Sequence, residues 1–298
     1  MSFMYDNVPD FAYFLFARIF SSIYLIFALF GWIGNGLIVI VTIRSKKLHS
    51  PCNVFIAMQS FSDMILQLSH VAFFYFAFNE KLVTYYTCWK INFFFVSAAD
   101  FSTWMVFFIA LDRFLSAKHP KCYNNMNRSY YIGVVTFCLA YCSVFKFVTY
   151  LSLTDERALC TVGQAVTGLT ERIWLGSLTM ISCGVVVVYY ALTKLLNNAS
   201  IAEYQRINRS LNTMIVLYLF GWVLGLFGAG VGYVLSANQR VFSTFEIPLA
   251  ILANINVAAP FFIYYNRSTL YRQEFQRLCF WPNRVRVTAS VNNQSTSA

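Results

Sequence analysis

Asp63, His70, Asp100, Lys146 and Glu246 each stand within a long apolar stretch of this chain. An ionisable side chain there is costly and needs a partner, a proton or a ligand. Asp112 and Arg113 stand side by side where another such stretch ends. These residue types allow ion pairing, hydrogen bonding to a small molecule, or cation binding by oxygen. They do not assemble an enzyme's apparatus. No nucleophile is set with a base and an orienting group, the three histidines form no metal-spaced set with cysteine, and no phosphate loop is present.

The elements that must hold these residues are membrane helices. Hydrophobic residues make up 58% and charged residues 11% of the 298 positions, whereas soluble domains carry about 25% charged. A soluble fold could not hide so much apolar surface. A bilayer core takes about 20 apolar helical residues to span, and backbone groups in lipid must pair within their own segment. Seven runs qualify, at roughly 19–43, 53–78, 91–111, 130–153, 173–193, 211–235 and 241–265. The fold expected is all-α, a bundle of seven transmembrane helices.

Loop charge sets the orientation, because cytoplasmic loops carry the excess of Lys and Arg. One set of segments holds Arg44, Lys46, Lys47, Arg113, Lys118, Lys121, Arg128, Lys194, Arg206, Arg209, Arg267, Arg272, Arg277, Arg284 and Arg286. The opposite set holds only Arg18, Lys81, Lys90, Arg157, Arg172 and Arg240. The N-terminus is therefore expected outside and the C-terminus inside. The net charge of +10 reads as topology and contact with anionic inner-leaflet lipid, not as nucleic-acid binding. No cleavable signal peptide is apparent, since Asp6 and Asp10 replace the usual basic start. The first helix is expected to act as its own insertion signal.

The outer tail and the inner loops are short, so whatever this chain binds is expected among the helices or at their outer mouths. Asp100 lies 13 residues from Arg113 and Lys146 some 15 residues above the start of its run, which puts both at a depth of about 20 Å on adjacent helices. Each is costly alone, so a buried ion pair is expected, chiefly structural, with a ligand-facing role as the alternative. Cys88 and Cys160 are the cysteines placed on the oxidising side, and they are expected to pair. Cys52, Cys122 and Cys279 fall on the reducing side, and Cys138, Cys142 and Cys183 fall within spans as small buried hydrophobes. The sequons at Asn127, Asn198, Asn208, Asn266 and Asn293 all fall on the inner side, where N-glycosylation does not occur. Leu270, Phe275 and Leu278 share one face of a short helix at about 268–279, which suits the membrane surface. Cys279 beside it is open to palmitoylation or stays unmodified. Residues 1–282 read as one membrane unit, and 283–298 as a polar, disordered tail.

Local motifs carry a resemblance. Gly34-Asn35-Gly36-Leu37-Ile38-Val39 resembles the first-helix pattern of rhodopsin-like G-protein-coupled receptors. Asn53 followed by Asp63, the Asp112-Arg113-Phe114 box with Pro120 after it, Pro260 with Tyr264, and Cys88 with Cys160 match that family in order and side. Within it, Thr42-Ile43-Arg44 with Lys46-Lys47-Leu48, Ser50 with Cys52-Asn53, and Arg209-Ser210-Leu211 make the chain most similar to the nematode chemosensory serpentine receptors of class SX. Some positions depart from the wider family. Ala259 replaces the seventh-helix Asn, the tyrosine comes one place late, Leu224 stands where a kinking Pro is usual, and the fourth helix has no Trp.

The resemblance implies a multi-pass receptor of the plasma membrane, that of sensory cilia included, that couples a small molecule to a heterotrimeric G protein. It implies that Arg113 transduces, pairing with Asp112 at rest, with Glu203 as an added clamp; a topology-setting arginine is the plainer alternative. It implies a sodium ion at Asp63 with Ser102 and with Asn254 or Asn256. A purely structural Asp63, bonded to Asn35 and water, is the other reading. No other cofactor is expected. By matching depth and face, the ligand site is expected above Trp222 and to draw on His70, Phe74, Phe95, Ala99, Leu226, Glu246 and Leu249. Most of these are apolar, which suits a small, mainly hydrophobic ligand. Phe95 takes the region where an ammonium-binding aspartate would stand, so an aminergic ligand is disfavoured. A neuropeptide receptor is the alternative within the family. A transporter or ligand-gated channel is the alternative outside it, and it lacks the broken-helix repeats and charge-lined path those proteins use.

Overall fold

The computed structural model describes residues 9–125, 128–197, 213, 216–235 and 239–280. Helix α1 (Asp10–Arg44) is followed by a short 3-10 turn and α2 (Pro51–Phe78). A short helix α3 (Tyr85–Ile91) leads through Asn92 into α4 (Phe93–Lys118), and α5 (Pro120–Asn124) follows on the inner side. Then come α6 (Arg128–Leu151), α7 (Gly168–Asn197), α8 (Leu224–Leu235), α9 (Gln239–Ala258), α10 (Pro260–Arg267) and α11 (Thr269–Phe280). Six helices are long and apolar enough to cross a membrane, and a shorter apolar helix, Val216–Gly232, adds the seventh crossing of the bundle.

The surface is apolar and the interior holds the polar groups. Ile33, Phe94 and Met180 are more than half exposed, while Asn35, Asp63, Gln67, Ser102 and Asp100 are buried. That inversion is what lipid demands, because a hydrocarbon solvent rewards apolar side chains outside and sends polar ones to partners inside. Neighbouring packing closes the ring: α1 on α2, α2 on α4, α4 on α6 and α7, α7 on α8, α8 on α9, and α9 back on α1.

The helix ends show where sequence periodicity alone misjudges length. The first helix begins at Asp10 instead of near residue 19, so it is about 52 Å long and overshoots a core of about 30 Å. Its outer turns are held by Arg18, which pairs with Glu80 at 2.5 Å and donates from Nε to the Ala77 carbonyl at 3.3 Å. The third span is cut at Asn92, whose backbone leaves the helical region (φ −88°, ψ 8°). The seventh is two helices, α9 and α10, meeting at Ala259 and Pro260, and Pro248 sits inside α9. Before α8, Leu219–Val223 forms a π-helical turn, the kind of local widening common at functional sites. The sixth and seventh helices therefore do have irregular points, the sixth at Leu219–Val223 without the usual Pro and the seventh at Ala259–Pro260.

The surface helix α11 packs Tyr271 and Phe275 into the inner core beside Tyr264, Ile38 and Phe55, with Leu270 and Leu278 partly buried against the same cluster. Arg272 fastens it by donating to the carbonyls of Tyr265 (2.8 Å) and Asn266 (2.6 Å).

Candidate functional site

On the outer side, Val83–Thr84 and Arg157–Ala158 pair as a two-stranded antiparallel ribbon, here β1 and β2. Beside it Cys88 and Cys160 form a disulfide, with Cα atoms 5.2 Å apart. The Asn92 amide donates to both sulfurs, at 3.4 Å and 3.2 Å. The bond holds the segment after Cys160 down over the bundle. Gln164 pins that segment further: its side-chain Nε2 donates to Ser243 on α9 at 2.5 Å, and its Oε1 accepts from the Thr161 amide at 3.3 Å. Residues 161–163 thus form a lid.

Under the lid lies a cavity of about 160 Å³. Six helices contribute to its walls, α2 and α9 most, at the helical spacing that the 3.6-residue period requires of side chains that share a face. Leu66, Ser69, His70 and Phe73 come from α2; Glu246, Leu249, Ala250, Ala253, Asn254 and Val257 come from α9. Trp174 and Leu178 of α7, Leu226 and Ala229 of α8, Ala99 of α4 and Tyr24 of α1 complete it, and Trp222 forms the floor. The Tyr24 hydroxyl donates to the Ile247 carbonyl, and His70 Nε2 shares a 2.5 Å hydrogen bond with Asn254 Oδ1.

Six of the eight residues expected here line this cavity: His70, Ala99, Trp222, Leu226, Glu246 and Leu249. Phe74 and Phe95 do not. One residue along a helix turns the side chain by about 100°, so Phe73 takes the inner position while Phe74 stacks on Phe78 at 4.1 Å. Phe95, one turn above Ala99, is not in the lining, and Ala99 is the α4 wall. Tyr24, Trp174 and the lid were not legible as site residues. The second outer loop could have been found from Cys160, since a disulfide there must draw its neighbours over the bundle.

Below Trp222 is a smaller cavity of about 50 Å³, lined by Gln59, Asp63, Ser102, Asn256, Tyr189, Tyr218, Pro260 and Tyr264 among others. Ser102 donates to Asp63 Oδ1 at 2.5 Å. Two expected members of this group sit elsewhere. Asn35 donates to the Val257 carbonyl at 3.0 Å, tying α1 to α9 instead of reaching Asp63. Asn254 belongs to the outer cavity, drawn there by His70. Asn256 does line the lower cavity, and its Nδ2 has no partner. Tyr264 is buried there despite its one-place delay.

The expected ion pairs are replaced by hydrogen bonds to aromatic residues. Asp112 accepts from the Tyr123 hydroxyl at 3.0 Å and 3.2 Å, and no ion pair joins it to Arg113. Burial and the Asp112 carboxylate together raise the Tyr123 phenol well above its ordinary range. Arg113 instead lies among Cys52, Tyr189 and Tyr264. Asp100 and Lys146 are neighbours, as their depth implies, but they do not close to an ion pair. Asp100 Oδ1 accepts from the Trp174 indole at 2.7 Å, and the Lys146 ammonium lies over the Phe93 ring at 5.6 Å. A neutral indole donor and an aromatic face reach these groups first. Glu203 lies outside the described residues, as does the side chain of Cys279 and the tail from 283. No His, Cys, Asp and Glu cluster able to hold a metal occurs among the described residues.

Known proteins share this arrangement of sequence. Human olfactory receptor 1N1 is 28% identical over 148 residues, 48% of this chain and 47% of that protein. The galanin-like G-protein coupled receptor npr-9 of Caenorhabditis elegans is 32% identical over 104 residues, 34% of this chain and 24% of that protein. Human olfactory receptor 11A1 is 29% identical over 131 residues, 43% and 40% of the two chains. The matched region is thus less than half the length of each relative. The family described as serpentine type 7TM GPCR chemoreceptor Srsx matches residues 28–279, from inside α1 to the end of α11. With a helical bundle, a disulfide-held lid and a central cavity on those same residues, the chain belongs to the Srsx family of serpentine 7TM GPCR chemoreceptors.

Proposed function

We propose that this receptor detects a small, largely apolar molecule from outside and passes the event to a heterotrimeric G protein at the inner cleft around Arg113. The observation that carries the reading is the floor of the outer cavity. Trp222 and Val257 line both the outer cavity and the lower one, so a ligand above can move the residues that Tyr264, Tyr189 and Arg113 pack around. Trp222 sits in the π-helical turn, where one extra residue per turn leaves the helix two ways to close. A ligand that binds one closure better shifts the population toward it.

Size supports a small ligand. A cavity of about 160 Å³ resembles the apolar voids of about 150 Å³ that hold benzene, so it takes roughly six to ten non-hydrogen atoms. In the lower cavity a sodium ion would be held by Asp63 and Ser102, with Gln59 and Asn256 beside them. The donor set is of hard oxygens, and the Ser102 hydroxyl keeps its lone pairs while donating to Asp63. Sodium there would favour the resting packing. The receptor would act at the plasma membrane, in sensory cilia. Olfactory receptors among its relatives support chemosensation; a peptide ligand, as the galanin-like relative's name raises, would need a wider opening than the lid leaves.

The test is expression with a chimeric G protein and a calcium reporter. Odorant-sized molecules should evoke a response that Arg113→Ala abolishes while surface display is kept. A response that persists in Arg113→Ala, or a ligand-evoked current in cells lacking G proteins, would refute the reading.

A further inference from the structure

We infer that the ligand of the outer cavity is a small protonated amine with an apolar body, its ammonium set against the Glu246 carboxylate. This rests on the outer cavity being the ligand site. Among the described residues lining it, Glu246 is the one Asp, Glu, Lys or Arg. Among the described residues, its Oε2 is buried without a hydrogen-bond partner and no cation lies against it. Of the other polar side chains lining the cavity, Ser69 Oγ has no hydrogen-bond partner among the described residues, and the rest are committed. Tyr24 donates to the Ile247 carbonyl, His70 Nε2 is engaged by Asn254, the Trp174 indole serves Asp100, and Thr161 Oγ1 accepts from the Gln164 amide. Among the described residues lining the cavity none supplies a counter-charge.

The lid sharpens the placement. Gly163 lies so close to the Glu246 carboxylate that a side chain at 163 could not fit without moving it. The carboxylate is therefore held at the roof, with Trp174, Trp222, Tyr24 and Phe73 around the space beneath it. An ammonium at this point meets a carboxylate and aromatic faces, the pairing that binds alkylammonium groups out of water. The rest of the lining is mainly apolar, which suits the body of the ligand. The aspartate that the third span lacks has its chemistry supplied from α9.

Purified full-length receptor in lipid nanodiscs would be titrated with 2-phenylethylamine and cyclohexylamine against 2-phenylethanol and cyclohexanol, with thermal stabilisation as readout. The amines should bind at least about tenfold more tightly than the shape-matched alcohols, a factor equal to one charge-assisted contact of about 1.4 kcal/mol. Glu246→Gln should bring the amines down to the alcohols, its ligand-free melting transition reporting that the variant is folded. Ala253→Phe, which fills the cavity, should abolish both. Equal binding of amines and alcohols by the wild-type chain, both lost in Ala253→Phe, overturns the amine inference and leaves the cavity as the site. Amine preference that survives Glu246→Gln overturns it too, as does folded wild type that binds none of the four. Binding untouched by Ala253→Phe overturns the cavity itself.

Discussion

Single side chains in this bundle are held by hydrogen bonds more than by opposed charges. Asp100 takes the Trp174 indole and Asp112 takes the Tyr123 hydroxyl, although Lys146 and Arg113 are near each. Trp174 is the informative case, since it lines the outer cavity and also caps the buried Asp100. Trp174→Phe keeps the aromatic wall and removes the donor. It should cost about 1–3 kcal/mol, the penalty for leaving a buried group unsatisfied, read as a lower thermal midpoint. In an Asp100→Asn background the same change should cost less, because a neutral amide loses less than a carboxylate. Equal losses in both backgrounds would mean the indole serves packing alone. At this scale the sequence identified which residues needed partners. It did not identify the partners, because an indole on α7 and a carboxylate on α4 are 74 positions apart and no local pattern links them.

Elements show the same division. Proline and asparagine positions foretell irregularity in a helix, and Pro248, Pro260 and Asn92 each mark one. The π-helical turn at Leu219–Val223 has no such marker; it lies where Gly221 passes Asn256 so closely that an added Cβ would stand 2.5 Å from Nδ2. The lid is likewise set by long-range constraints, the disulfide and the Gln164–Ser243 bond. Cys160→Ser should lower stability by about 2–4 kcal/mol and speed exchange of any cavity ligand, since the lid then rests on Gln164 alone. Unchanged exchange kinetics in Cys160→Ser would show that ligands do not pass the lid.

At the scale of the molecule, this is a multi-pass membrane receptor of a non-enzymatic family, and its orientation can be checked with one thiol. Cys122 is exposed on the side read as inner, while Cys88 and Cys160 are bonded. Cys183, expected buried, is exposed on α7, so in a Cys183→Ser, Cys279→Ser background a membrane-impermeant maleimide should label Cys122 only after the cells are permeabilised; labelling of intact cells would invert the topology. The sequence by itself determined the seven crossings, the orientation and the cysteine pair, because the bilayer is a uniform solvent that acts on each apolar run separately. Only the tertiary structure decided which of the intramembrane polar groups meet. It gave Asn254 to His70, Asn35 to the Val257 carbonyl and Trp174 to Asp100, and it left Glu246 Oε2 without a hydrogen-bond partner among the described residues. The reason is geometric: lipid fixes how deep a side chain lies, but the rotation of each helix and the packing of its neighbours fix what it faces.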